Sequence, residues 1–355
     1  MGRLLALGSH DYVQTLKGQK LKFPNLNAVV EGWPRGCSPH LKVLRDVQHK
    51  DLLKLTGPGK AYDICESTDC PYFASVWWPN ADYEALRFAA QLITFLYLWD
   101  DDTDNPELTD LVSDLDASNR FRDASIAHFE RYLADNPPPG NPADPPAPPT
   151  LRSFNPIGEA AAFRMTRSQR LRLLDELYRY MRACEIEQHS ELSGRAPTVD
   201  EYLPCRMGTS AAGFVTSVLE YMVNIDLGDT IRYDPDVVEV FDQTVCLIAI
   251  MNDMFSLKRE LRYPFYNNVV AVLYHQHGDL QTAVDETYKI IQRSAESFEA
   301  AARRALEKFP DRKRDLTTWI NGAKTMVTGN MAWSMHIKRY DLNVSDLDGT
   351  TEITI

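Results

Sequence analysis

Two groups of oxygen-bearing side chains in this sequence could bind hard cations. The first is DDDTD at residues 100–104, where Asp100 and Asp104 stand four residues apart and share one face if the segment is helical. Carboxylates at the C-terminal end of a helix oppose its dipole and repel one another, so the cluster is unfavourable unless cations neutralise it. Hard oxygen ligands of this kind suit Mg²⁺. A solvated acidic loop after a core helix is the plainer alternative. The second group is NDMFSLKRE at 252–260, in which Asn252, Ser256 and Glu260 recur every four residues. That spacing drifts about 40° per step, so an amide, a hydroxyl and a carboxylate line one face and could converge on one ion. A polar face turned to water is the alternative, but the motif follows the apolar run QTVCLIAIM. Polar groups emerging from a buried helix need partners.

Basic residues accompany both groups. Arg206 lies 46 residues before Asn252, Arg259 adjoins Glu260, and Arg339 and Tyr340 stand together near the end of the chain. Each arginine alone reads as a surface residue. Together, three guanidinium groups and a phenol could hold a diphosphate between metal ions, the guanidinium fork being matched to phosphate oxygens.

Helices must carry these residues, and helical signals dominate. Residues 82–99 read DYEALRFAAQLITFLYLW, with Asp82 as N-cap and an apolar surface nearly all round from Phe88 to Trp99, as in a fully buried helix. Thr198 and Glu201 form a capping box opening a helix that runs towards Arg206. A third helix is expected from Val237 to Glu260, stopped by Pro264, a fourth from about Thr282 to Lys308, and a fifth holding Trp333 to Tyr340. Alternating segments are scarce, so the fold class is all-α. The small residues GTSAAG at 208–213 permit a helix break just after Arg206, or else tight helix packing. Residues 135–150, DNPPPGNPADPPAPPT, carry eight prolines and read as an extended surface loop rather than a helix or a recruitment motif. Because the motifs lie on both sides of it, residues 1–355 are expected to form one domain, with a flexible tail from about 342.

Composition bounds the function. The chain has 355 residues, 44% hydrophobic and 25% charged, enough for a large core. A net charge of −12 argues against a nucleic-acid partner held by phosphate contacts. It leaves room for a small phosphorylated substrate, because bound cations reverse the sign of a local site. Six cysteines without a CxxC pair read as reduced thiols. The N-terminus lacks a signal-peptide apolar region, and no segment offers 18 uncharged apolar residues, which argues against a membrane span. The expectation is a cytoplasmic enzyme, monomeric or homodimeric.

The set DDDTD, NDMFSLKRE, the upstream Arg206 and WSMHIKRY resembles microbial class I terpene synthases, particularly the fungal sesquiterpene cyclases. The resemblance runs from about Trp33-Pro34-Arg35 to Tyr340. It implies a single helical bundle around a deep cavity and Mg²⁺-dependent ionisation of an isoprenyl diphosphate, with farnesyl diphosphate favoured. It also implies three Mg²⁺ ions: Asp100 holding two, Asp104 contributing variably, and Asn252, Ser256 and Glu260 holding the third. Arg206 would sense the diphosphate, and Arg259, Arg339 and Tyr340 would bind it as it leaves. Thr209 and Ser210 stand where many bacterial relatives have Asp and Gly linking the sensor to the substrate. Trp333 matches an aromatic position lining the cavity, and with Tyr97 it could stabilise cations through π-faces. One helical face back from Asp100 and Asn252 come Ile93, Leu96, Val245, Ile248 and Ala249, candidates for the apolar wall or for plain core. The rivals are a chain-elongating isoprenyl diphosphate synthase, which normally carries two aspartate-rich motifs, and a non-catalytic helical scaffold, which leaves the motifs unexplained.

Overall fold

A computed structural model of the chain describes residues 15–137, 147–261, 267–340 and 348–355. Its principal helices are α1 (Leu41–Thr56), α2 (Cys70–Trp77), α3 (Tyr83–Asp104), α4 (Leu115–Leu133), α5 (Arg167–Leu192), α6 (Val199–Thr209), α7 (Ala212–Ser217), α8 (Pro235–Glu260), α9 (Val269–His277), α10 (Leu280–Lys308) and α11 (Lys313–His336). Among the described residues the only strands are β1 (Lys20–Lys22) and β2 (Glu352–Thr354), a small addition to the all-α expectation.

Helix starts follow local chemistry. The Asp82 carboxylate accepts the Ala85 N–H at 2.8 Å, and α3 then runs unbroken through Asp104, which places Asp100 and Asp104 at its C-terminal end with no basic residue in the last turn. Thr166–Gln169 and Thr198–Glu201 both form complete capping boxes, opening α5 and α6. Helix α8 starts two residues earlier than expected, at Pro235 behind the Asp234 cap, a position where proline's missing N–H costs nothing. It is buried along most of its length and packs on α10 and α11. It is the one described helix long and apolar enough to cross a membrane, but 78% of its most apolar window is buried inside the bundle.

The structure changes three expectations. The segment from Trp333 to Tyr340 is not one helix: α11 ends at His336, Ile337 is extended (ψ 142°), and Lys338–Tyr340 form a separate 3-10 turn. The Pro-rich segment, whose residues 138–146 lie outside the described ones, ends in a helical turn at Pro149–Arg152, with Pro149 at the permitted first position. The end of the chain, expected to hang free, pairs β2 antiparallel to β1, with Leu21 opposite Ile353. Pro264 also lies outside the described residues, and α8 ends at Glu260 with Leu261 as its cap.

The break after α6 is present. Its left-handed residue is Ala211 (φ 54°), not a glycine. The flanking glycines serve packing instead. A Cβ on Gly208 would lie 2.3 Å from the Ala183 Cβ, and one on Gly213 would lie 2.3 Å from a Glu176 carboxylate oxygen, so these glycines let α6 and α7 lie directly against α5.

Candidate active site

Helices α2, α3, α5, α6, α7, α8 and α11 enclose a cavity of about 230 Å³. Its lining includes Asp100, Asp104, Arg206, Thr209, Ser210, Asn252, Arg259, Glu260, Trp333, Tyr340 and Tyr97. Eleven residues singled out by the sequence therefore meet in one place. Ser256 does not reach the lining: it is 1% exposed, and its hydroxyl donates to the Asn252 carbonyl at 2.8 Å. Arg339 falls in the 338–340 turn, and its side chain lies outside the described ones.

The end of α3 sorts its carboxylates. Asp100, Asp101 and Asp104 line the cavity, while Asp102 turns away to accept a hydrogen bond from Thr150, at the end of the Pro-rich segment. The Tyr180 hydroxyl of α5 donates to Asp100 at 3.3 Å. From α5 come two further acids, Glu187 and Glu191. Burial first, and Asp100 and Glu187 next, push the Asp104 carboxyl well above the usual range. Burial and the neighbouring Glu191 push Glu187 up to about 8, and burial pushes Glu191 up to about 7. Six carboxylic acids and only two described arginine side chains line the cavity, so with every group ionised it carries an excess of four negative charges.

The α8 side is hydrogen-bonded throughout. Asn252 accepts from Arg206 Nη2 at 2.9 Å and donates to the Tyr340 hydroxyl at 2.6 Å. Arg206 Nε donates to Asp253 at 2.8 Å. The Asn268 amide, capping α9, donates to Glu260 at 2.8 Å. Burial works against the Arg206 charge, but Asp253, Tyr202, Glu260 and Glu187 outweigh it and hold the guanidinium firmly protonated. Two of its five N–H groups are taken by Asp253 and Asn252, and the other three have no acceptor among the described residues. Thr209 donates to Glu187 at 3.1 Å, which ties the end of α6 to α5.

Apart from Asn105, Asn267 and Asn330, the rest of the lining is apolar or aromatic. Trp333 packs edge-on to Phe73 at 5.0 Å and to Tyr340 at 5.7 Å, and Phe73 stacks on Trp77 at 4.1 Å. The Trp333 indole N–H donates to the Thr68 carbonyl at 2.8 Å, which fixes the ring. Ile93, Leu96, Val215, Ile248 and Ala249 complete this part, whereas Val245 is buried outside the lining.

Sequence reasoning missed Glu187, Glu191, Asp253, Phe73 and Trp77. A signal existed for the first two: Tyr180, Cys184, Glu187 and Glu191 follow i, i+4, i+7, i+11 along α5, a stripe of titratable groups on one face. Asp253 sat inside the motif already chosen and was passed over for its neighbours. Phe73 and Trp77 lie in CPYFASVW, which is apolar on nearly every side and so offers no face to pick out.

Comparisons with known proteins identify the family. The family model of terpene synthase family 2, C-terminal metal binding, matches residues 91–297, more than half of the chain. The sesquiterpene cyclase hepA of Aspergillus oryzae is 28% identical over 351 residues, covering 96% of this chain and 95% of its own. The terpene cyclase braA of Annulohypoxylon truncatum is 24% identical over 338 residues, covering 91% of this chain and 86% of its own. Among solved structures, a hedycaryol synthase superposes with a TM-score of 0.72 at 18% identity, over 90% of this chain and 100% of that one. The germacradien-4-ol synthase of Streptomyces citricolor gives 0.70 at 19% identity, over 86% and 97%. Likeness at that identity shows the fold, and the family match goes further: the chain belongs to terpene synthase family 2 and is an all-α class I terpene synthase.

Proposed function

We propose that the enzyme ionises an isoprenyl diphosphate, farnesyl diphosphate first among them, with Mg²⁺, and cyclises the cation to a sesquiterpene hydrocarbon or alcohol. One observation carries this reading: a single cavity is lined both by six carboxylic acids and by the aromatic rings of Phe73, Trp77, Tyr97 and Trp333. Acids outnumber arginines six to two in the lining, so with its carboxyls ionised it would repel an anionic substrate, and it suits diphosphate together with cations. Burial first, and neighbouring carboxylates next, raise the carboxyls of Asp104, Glu187 and Glu260.

The donors are all hard oxygens, which fits Mg²⁺. Among the described residues no three His, Cys, Asp or Glu side chains gather closely enough to hold an ion alone. That also fits an ion bound by one or two side chains, with substrate phosphate and water filling its other positions. Asp100 and Asp104 would hold two of three ions, and Asn252, Ser256 and Glu260 the third. Ser256, 1% exposed and behind the lining here, would contribute only if its hydroxyl were brought to the cavity, its oxygen lone pairs being left available by its donated proton. When bound, the ions act as Lewis acids that stabilise charge on the leaving diphosphate.

The chain's own groups do the rest. Arg206 offers three N–H groups, joined by Arg259 and Arg339, to the phosphate oxygens. The Tyr340 hydroxyl, held by Asn252, can donate its own proton to the same anion. The allylic chain lies against Trp333, Phe73 and Trp77, whose π-faces favour positive charge and whose packing excludes water. Incubation with C10, C15 and C20 diphosphates and Mg²⁺, reading pyrophosphate and volatile products together, tests the proposal. Cyclic C15 products are expected. A lengthened diphosphate would assign an elongase instead, and no pyrophosphate from any substrate would end the enzymatic reading.

A further inference from the structure

Asp253 is the most deeply buried acid near the cavity, 0% exposed, and it does not line it. Its two oxygens are fully engaged. Oδ1 accepts Arg206 Nε at 2.8 Å; Oδ2 accepts the Tyr202 hydroxyl at 2.7 Å and the backbone N–H of Val269 at 2.9 Å. The Asp253 carbonyl accepts the Asn268 amide at 2.6 Å, and that same amide bonds Glu260. One residue thus joins α6, which carries Arg206, to the start of α9, which bonds the far end of the α8 motif.

We propose that Asp253 is a positioning residue for diphosphate capture, its carboxylate aiming Arg206 into the cavity. The inference rests on the reading of Arg206 as a diphosphate contact. A guanidinium held only through Nη2 to Asn252 could pivot about that bond. The second bond, at Nε, fixes its plane and turns the uncommitted N–H groups away from Asp253. No neutral isostere can replace the carboxylate. With an asparagine side chain at this position, either flip of the amide would set an NH₂ against a donor, the Arg206 N–H in one and the Val269 N–H in the other. The burial of Asp253 makes that mismatch costly, because water cannot intervene.

The test is a double-mutant cycle on the full chain, read as calorimetric binding of inorganic pyrophosphate in the presence of Mg²⁺. Asp253→Asn is expected to weaken binding on the order of tenfold to a hundredfold, the strength of hydrogen bonds to charged groups. In an Arg206→Gln background the same change should cost less than about twofold, since its route of action is already gone. Equal weakening in both backgrounds, or none in either, overturns the positioning role. Wild-type affinity in Arg206→Gln alone would show instead that the reading of Arg206 is at fault. If Asp253→Asn fails to fold by circular dichroism, Tyr202→Phe replaces it. That variant removes one bond that orients the carboxylate and keeps its charge, and a smaller loss confined to the Arg206 background is expected. Loss in both backgrounds, or in neither, overturns the proposal as before.

Discussion

At the end of α3, Asp100, Asp101 and Asp104 share the cavity with Glu187 and Glu191, and burial with mutual repulsion raises the proton affinity of Asp104 and Glu187. Along α8, Asn252, Arg206, Asp253, Tyr340 and Glu260 belong to hydrogen-bonded contacts in which Asp253 is paired with Arg206 and Glu260 is held by the Asn268 amide. The first region is electrostatically frustrated and the second is preorganised. Their difference teaches that a site for anion plus cations need not be built evenly. On the proposed function, one wall fixes geometry in advance, and the other carries clustered carboxyls that bound cations would relieve.

The largest test of that contrast compares single substitutions on the two walls. Asp100→Ala and Glu260→Ala should each lower pyrophosphate release on the order of a hundredfold or more. Stability should move in opposite directions. Asp104→Asn relieves repulsion and should stabilise the unliganded protein by about 1 kcal/mol, the usual scale when a functional group under strain is removed. Glu260→Ala leaves the buried Asn268 amide short of a partner and should destabilise by about 1–3 kcal/mol. Thermal melts, shifting by about 1–2 °C per kcal/mol for a chain this long, resolve the two signs. The same sign for both would dissolve the contrast.

A second test uses pH. Glu187 and Glu191, raised to about 8 and about 7, bind protons in the folded chain that they have lost in the unfolded one over the window from about 4.5 upward. Stability of the metal-free protein should therefore fall as pH rises from about 5 to about 8, and level off above that. Mg²⁺ with pyrophosphate should flatten the profile and release protons on binding, measured as a dependence of binding heat on buffer ionisation enthalpy. A metal-free melting profile that rises across this window would contradict the frustrated wall.

Smaller effects come from the apolar interior. Trp333→Leu should leave pyrophosphate release within about tenfold but shift product ratios towards linear or early-deprotonated compounds. A desolvated cation–π contact of about 2 kcal/mol corresponds to roughly thirtyfold between competing paths. An unchanged profile would make Trp333 ordinary packing, held by its bond to the Thr68 carbonyl.

Much of this was legible in the sequence, for identifiable reasons. Helix starts are written in single side chains, Asp82 or Thr198 with Glu201, because capping satisfies particular backbone N–H groups. Four-residue spacing exposed Asp100 with Asp104, and Asn252 with Glu260, because helical geometry alone puts them on one face. What stayed hidden depends on which face of a helix meets which neighbour. Helix α5 is charged on many sides, so the stripe of Tyr180, Cys184, Glu187 and Glu191 competes with other faces, and packing decides that Glu187, rather than Glu185, meets the cavity. The stop at Ile337 carries no proline or glycine, and tertiary packing decides it. Ala211 is a similar case: a left-handed alanine costs about 1 kcal/mol and no propensity would place it there. Ala211→Gly should recover up to about 1 kcal/mol of stability, the smallest effect expected, read as a small upward shift of the melt. No shift would mean that glycine's extra freedom in the unfolded chain cancels the relief.

The pairing of β1 with β2 bears on the order in which the chain assembles. Lys20 and Glu352, joined at 2.7 Å, are 332 residues apart in sequence. Closing a loop that long from an open coil costs about 5 kcal/mol of chain entropy, far more than a three-residue ladder returns. The ladder can form only after the helices have brought both ends to the same edge of the bundle. It is thus a late event in folding and an early one in unfolding. The amide of Leu21 should exchange with solvent well ahead of those in the middle of α8, and its protection marks a chain that has finished folding.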